Sequence, residues 1–258
     1  MKKQTPQGDR IQKVLANAGW GSRRELERLI EDGRITLNDK PAKLGDRAVP
    51  GDRLRMGRRQ FEVKGKSASK RLPRVIAYHK PIGELVTRKD PEGRKTIFQN
   101  LPRINNGRWI AVGRLDINSS GLVLLTDDGE LANHLMHPSL QVEREYAVRV
   151  LGDVTNEMIY QLTHGVELED GPARFEDVVE STEGNVGANR WFHVVIVEGR
   201  NREVRRMWEA VGGKVNRLVR VRYGPIKLGT YPKARGWREL EKQEINSLLR
   251  LVAKKPEK

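Results

Sequence analysis

Between Gly113 and Asp128 the chain reads GRLDINSSGLVLLTDD, and no other stretch restricts the fold as much. A single acidic residue, Asp116, follows Arg114 and Leu115. Behind it come the turn-formers Asn118, Ser119, Ser120 and Gly121, then the apolar run Leu122 to Leu125. Turn residues ahead of a short apolar run mark a loop entering a buried strand. The pattern leaves one carboxylate at a strand edge, where active sites are usually built. An Asp in a turn more often caps nearby amides, so Asp116 by itself does not decide between structure and chemistry.

Two helices precede that segment by almost a hundred residues. Ile11, Val14, Leu15 and Ala18 fall at helical spacing, and Gly19 ends the run. Ser22-Arg23-Arg24-Glu25 is a capping box, from which a second helix runs through Leu26, Leu29 and Ile30 to a stop at Gly33. A strand RITLN, a turn at Asn38-Asp39-Lys40 and another strand around Leu54 and Met56 complete a small module over residues 10–64, with residues 1–9 structureless ahead of it. GKSASKRL, residues 65–72, reads as a linker. Many short apolar strands follow: VIAYH, WIAVG, LVLLT, YAVRV, FEDVV, WFHVVIV and VNRLVRVRYG. Helical patterns lie around Leu131 to Met136, Asn156 to Leu162, Arg202 to Val211 and Gln243 to Val252. The expected class is α+β: a small N-terminal α/β module of two helices and a short hairpin, then a domain over 73–250 with a mostly antiparallel, mixed sheet flanked by helices, and a tail at 251–258.

The chain carries 49 Lys+Arg against 34 Asp+Glu, a net charge of +15. Such a balance favours a polyanionic partner. The basic residues are spread through folded-looking segments, which favours nucleic acid over a membrane. Arg23, Arg24 and Arg28 reach one broad face of the second helix, a natural site for backbone phosphates or simply a solvated surface. No cysteine is present, which removes disulfides, thiolate nucleophiles and Cys-ligated metals. No apolar run follows the basic start MKKQTPQGDR, and none approaches the roughly 20 residues of a membrane span. A cytoplasmic location is expected.

Common catalytic motifs fail quickly. There is no GxxxxGK[ST] loop, no GxGxxG after a strand and no HExxH; His134 and His137 have no carboxylate cluster beside them, so no metal is expected. What remains is Asp116, Tyr146 at the start of a strand, and Arg200, Arg202, Arg205 and Arg206 at a strand-to-helix junction. Four arginines in seven residues usually mean phosphate contact.

Gly113-Arg114-Leu115-Asp116, then Ser119, Gly121, an apolar triplet and Thr126-Asp127, resembles the active-site signature of the bacterial ribosomal pseudouridine synthases. REYAV at 144–148 and EGRNREVRRM at 198–207 resemble that family's other two motifs. The stretch RIQKVLANAGWGSRRELERLIEDGRITLNDKPAKLGD resembles the RNA-binding domain named after the fourth small-subunit ribosomal protein. Within the family, PIGELVTRKDPEGRKTIFQNLP, GELANHLMHPS and VEREYAVRV are closest to the branch acting on the large subunit.

The resemblance implies an isomerase that converts one uridine of 23S rRNA, free or in an assembling large subunit, to pseudouridine without a cofactor. It implies Asp116 as nucleophile, Tyr146 stacking on the flipped base, and Arg205 pairing with Asp116, with Arg202 as the alternative partner. Arg114 would fill the space the base leaves, and Arg23, Arg24, Arg28, Arg200 and Arg202 would contact RNA. Attack at C1′, attack at the base and elimination through the sugar all stay open. A monomer is expected, since an RNA without two-fold symmetry gives no reason for a dimer. The rivals are a sister synthase acting on another 23S uridine or on 16S rRNA, and a non-catalytic rRNA-binding assembly factor. A methyltransferase would need a glycine-rich cofactor loop that the chain lacks.

Overall fold

The computed structural model describes residues 8–64, 71–104, 107–182, 184 and 187–253. Two compact units divide the chain. The first runs to Pro73 and takes in Arg103–Trp109; the second comprises Arg74–Pro102 and everything from Ile110 on.

In the first unit, α1 (Ile11–Asn17) and α2 (Arg23–Glu31) bury Ile11, Leu15, Leu26 and Ile30 with Ile35, Leu54 and Val63 in one core. The capping box forms: the Glu25 amide donates to Ser22 Oγ at 3.1 Å, and the Ser22 amide donates to Glu25 Oε2 at 3.3 Å. Ile35–Leu37 turns back on Lys40–Pro41 through Asn38 and Asp39, both in the left-handed region (φ 49° and 66°), the conformation a tight two-residue hairpin requires. Arg53–Met56 and Arg59–Glu62 extend this sheet. Order begins earlier than the sequence indicates, because Asp9–Arg10 pairs with Arg47–Ala48; residues 1–7 lie outside the described residues. Arg103–Trp109 belongs here through a close backbone approach: a Cβ on Gly19 would stand 2.7 Å from the Gly107 carbonyl oxygen. Of the expected linker, residues 65–70 lie outside the described residues.

The second unit is built on one nine-stranded sheet. Along its main path run Asp177–Glu180, Asn189–Ile196, Arg144–Leu151, Lys214–Tyr223, Ser120–Thr126, Val75–Lys80 and Trp237–Glu239. Ile110–Val112 and Ile226–Lys227 pair off this path. The pairing is antiparallel except where Lys214–Tyr223 meets Ser120–Thr126. Ser120–Thr126 is buried along its whole length, which explains its unbroken apolar run. The helices are α3 (Gly129–Met136), α4 (Asn156–His164), α5 (Glu203–Ala210) and α6 (Lys242–Ala253). Trp208 of α5 is fully buried, its ring 5.1 Å from Phe192 on the sheet. Tyr223 donates its hydroxyl to the Leu135 carbonyl, tying the sheet to α3. Helix α6 continues through Ala253, three residues into the expected tail, and residues 254–258 lie outside the described residues. A short hairpin, Val166–Leu168 with Gly171–Ala173, was not legible in the sequence.

Candidate active site

Asp116 lies on the loop between Ile110–Val112 and Ser120–Thr126, half-buried, with Leu115 buried before it and Ser119 after it. The loop turns tightly: the Ser119 amide donates to the Asp116 carbonyl at 3.1 Å. Two buried cations then hold the carbonyls that follow. Lys80 Nζ donates to Ser119 O at 2.6 Å and to Pro81 O at 3.0 Å. Arg205 Nη2 donates to Asn118 O at 3.0 Å, while its Nη1 donates to Val215 O at 2.9 Å. Both cations feel the Asp116 charge. Burial lowers Lys80 to about 8, against the opposing pull of Glu84 and Asp116. Burial also pulls the Arg205 guanidinium below its ordinary value, reinforced by Arg202 and opposed by Asp116.

The signature glycine has a mechanical reason. Gly121 sits at the parallel junction with Arg220, at φ +107°, and a Cβ there would stand 2.3 Å from Arg220 O and 2.5 Å from Arg220 N. Only a residue without a side chain lets the two strands meet. On its other side Arg220 is in register with Tyr146, which is buried on Arg144–Leu151. Arg220 is 2 % exposed; its Nε donates to Leu122 O at 2.7 Å, and its guanidinium carbon lies 5.3 Å from the Tyr223 ring centroid. Around this loop three buried polar atoms have no hydrogen-bond partner among the described residues: Ser119 Oγ, Arg205 Nε and Arg220 Nη2. Buried polar groups are nearly always satisfied, so three orphans around one carboxylate loop mark a place where a ligand can complete the bonding.

Arg205 and Asp116 are thus brought to one loop, but among the described residues no ion pair joins them; the Arg205 hydrogen bonds go to the loop backbone. Arg202, at the N-terminus of α5, is exposed and in the left-handed region (φ 48°), with its Nη2 3.8 Å from Glu209. Arg114 is exposed beside the buried Leu115. Arg200, expected to contact RNA, is occupied within the protein. Its Nε donates to Glu203 at 2.9 Å, Nη1 to Gly171 O at 3.0 Å and Nη2 to Pro172 O at 2.6 Å, while Arg206 grips both Asp170 oxygens at 2.9 Å. The pair fixes the Val166–Ala173 hairpin to α5.

Arg23, Arg24 and Arg28 belong to the first unit. Arg24 and Arg28 line a shallow groove with Arg10, Glu27, Glu31 and Leu44, whereas Arg23 couples electrostatically to Arg108. Lys80 and Arg220 escaped the sequence reading. Lys80 ends an apolar strand ahead of Pro81, a faint signal; Arg220 sits within the strand VNRLVRVRYG among other arginines, with nothing local to single it out.

Residues 74–210 match the model of the RNA pseudouridylate synthase family, and residues 9–54 match the S4 domain. The chain is 53% identical over 251 residues to the ribosomal large subunit pseudouridine synthase B of Escherichia coli (strain K12), covering 96% of this chain and 85% of that protein. It is 56% identical over 250 residues to the protein of the same name from Vibrio cholerae, covering 97% and 77%. Among solved structures, a crystal structure of a pseudouridylate synthase superposes with a TM-score of 0.63 at 25% identity, covering 93% of this chain and 99% of that one.

Proposed function

The chain belongs to the RNA pseudouridylate synthase family, with an S4 domain ahead of the catalytic one, and from that premise we propose that it isomerises one uridine of 23S rRNA with Asp116 as the nucleophile. The observation that carries the assignment to Asp116 is its loop, held at the Asn118 and Ser119 carbonyls by two buried cations that also feel the carboxylate.

The reaction breaks C1′–N1, turns the uracil within the pocket and joins C1′ to C5. The proton leaving C5 balances the one gained at N1, so no other reactant is consumed. A base inside folded RNA must first leave its stack, at a cost of a few kcal/mol. Arg114, exposed beside the nucleophile, fills the vacated space. Tyr146 stacks on the extruded uracil and assists the C5 proton. Asp116 must be ionised, whether it attacks C1′, attacks the base or opens elimination through the sugar. Arg205 and Lys80 set two positive charges within electrostatic reach of that carboxylate. Arg23, Arg24, Arg28 and Arg202 contact RNA phosphates; Arg200, engaged with the hairpin, is left out of that set. The protein acts as a monomer in the cytoplasm, on 23S rRNA or an assembling large subunit. Among the described residues, no helix is long and apolar enough to cross a membrane.

The test is to incubate unmodified 23S rRNA with the protein and map pseudouridine by carbodiimide adducts and reverse-transcription stops, beside Asp116→Asn. One new stop that needs Asp116 establishes substrate and nucleophile. No stop in 23S rRNA, with one appearing in 16S rRNA, would move the protein to the sister activity.

A further inference from the structure

Strand alternation gives the large sheet two unlike faces. Along Arg144–Leu151, Tyr146, Val148 and Val150 are buried while Glu145, Ala147 and Arg149 are half-exposed. Along Asn189–Ile196, Phe192, Val194 and Ile196 are buried while Trp191, His193 and Val195 are half-exposed. Tyr146 and Arg149 therefore leave the sheet on opposite sides. The half-exposed side carries two neighbouring rows of charge with different electrostatics.

One row is neutralised. His193 Nδ1 lies 2.9 Å from Glu145, Arg222 Nε donates to Glu145 at 2.8 Å, and Arg222 Nη1 donates to Glu143 at 2.9 Å. The other row is Trp191, Arg149 and Arg217, in register across three strands. The Arg149 and Arg217 guanidinium carbons lie 5.9 Å and 5.8 Å from the Trp191 ring centroid. Arg149 is oriented by a polar chain: its Nε donates to Asn216 Oδ1 at 2.7 Å, and Asn216 Nδ2 donates to Asn189 Oδ1 at 2.6 Å. No ion pair to either arginine is found among the described residues. Two guanidiniums converge on one indole ring with no carboxylate paired to either among the described residues, beside a row where Arg222 is paired to both Glu143 and Glu145. Basic side chains gathered around an aromatic platform form the apparatus that grips an unpaired nucleic-acid strand, phosphate on the cations and base on the ring.

We propose that this face is a second RNA-docking surface, on which a single-stranded segment of the substrate RNA away from the target uridine places a phosphate between Arg149 and Arg217 and a base against Trp191. The proposal rests on the RNA-substrate reading above. It adds that the RNA is held on the sheet face opposite Tyr146 as well as at the pocket, so only a long substrate uses it.

The experiment compares the full chain with Arg149→Gln/Arg217→Gln and with Trp191→Ala on two RNAs: unmodified 23S rRNA, and a short stem–loop carrying the mapped uridine. Expected for both variants is a KM on 23S rRNA raised about tenfold with kcat kept, and an unchanged KM on the stem–loop. The double variant should also lower the salt dependence of 23S rRNA binding by about one phosphate. Unchanged KM on both RNAs, or an equal rise on both, overturns the proposal. If the parent makes no pseudouridine in either RNA, the proposed function fails and this inference with it, a result distinct from variants matching an active parent. Should thermal unfolding show Trp191→Ala misfolded, the arginine variant decides alone.

Discussion

Lys80, outside the recognised motifs, and Gly121, within the signature, both bear on the Asp116 loop, and each makes a sharp prediction. Lys80 is fully buried, gives two hydrogen bonds to backbone carbonyls, and titrates near 8 instead of its ordinary 10.5. Below pH about 8 it is an ammonium that holds the loop and feels the Asp116 charge; above that it loses both the charge and a donor. Activity should therefore fall as pH rises through about 8, and Lys80→Arg, which keeps its charge, should move that limb upward. A limb that stays put in Lys80→Arg belongs to another group and removes Lys80 from the account. Lys80→Met should lower kcat roughly 100-fold with little change in KM, because under the proposed mechanism Asp116 is misplaced while RNA contacts stay. Gly121→Ala is a different kind of failure. Its Cβ would press on Arg220 backbone atoms at 2.3 and 2.5 Å, which cannot swing aside, at a φ that only glycine tolerates. Overpacking and backbone strain together should cost about 3 kcal/mol or more, read as a lowered midpoint in urea unfolding.

At the scale of elements, the sequence was most legible where a local rule ran without interruption. The Ser22–Glu25 box, the Asn38-Asp39 turn and the run entering Ser120–Thr126 are each decided by residues a few positions apart, and each forms. Lys214–Tyr223 was legible as a strand but not as to which of its residues face inward. It slips register twice against Arg144–Leu151, so Val215, Leu218, Arg220 and Tyr223 are buried in place of a strict alternation. A bulge is set by the partner strand, and nothing local announces it. That is why no local pattern marks Arg220 as buried. Arg200 and Arg206 were hard to place for a related reason: their density suggested phosphate, while in the structure both hold the Asp170 turn, about thirty residues away in sequence. The hairpin's dependence on this clamp is testable. Asp170→Ala removes the acceptor of both Arg206 bonds, so amides of 166–173 should exchange faster by about tenfold while those in the middle of α5 hold their protection. Equal protection in the variant would show that the hairpin is seated by its apolar residues alone.

For the molecule as a whole, charge and connectivity decide how the first unit's contribution can be measured. With a net charge of +15, affinity for RNA should fall steeply with salt, and each lost phosphate contact should flatten log K against log salt by about 0.7 to 0.9. Removing the first unit by truncation is the obvious experiment and the wrong one. Arg103–Trp109 lies between segments of the second unit yet belongs to the first, where Gly107 meets Gly19 and Trp109 is 5 % exposed. A chain starting near Arg74 keeps that segment and loses the Gly19 backbone that Gly107 meets, so the segment becomes a protease target. Lost activity in such a truncation would mix lost RNA contact with lost folding. Arg24→Gln/Arg28→Gln avoids this, because both residues are exposed on α2 and line the basic groove without filling the core. The double variant should unfold at the parent's midpoint and raise KM on 23S rRNA. Its salt slope should be shallower by about 1.5, corresponding to two phosphates. At low salt its kcat should equal the parent's, since Asp116 and Tyr146 belong to the other unit. An unchanged slope with an unchanged KM would mean that this groove is a solvated surface, and that the affinity of the basic chain comes from the second unit.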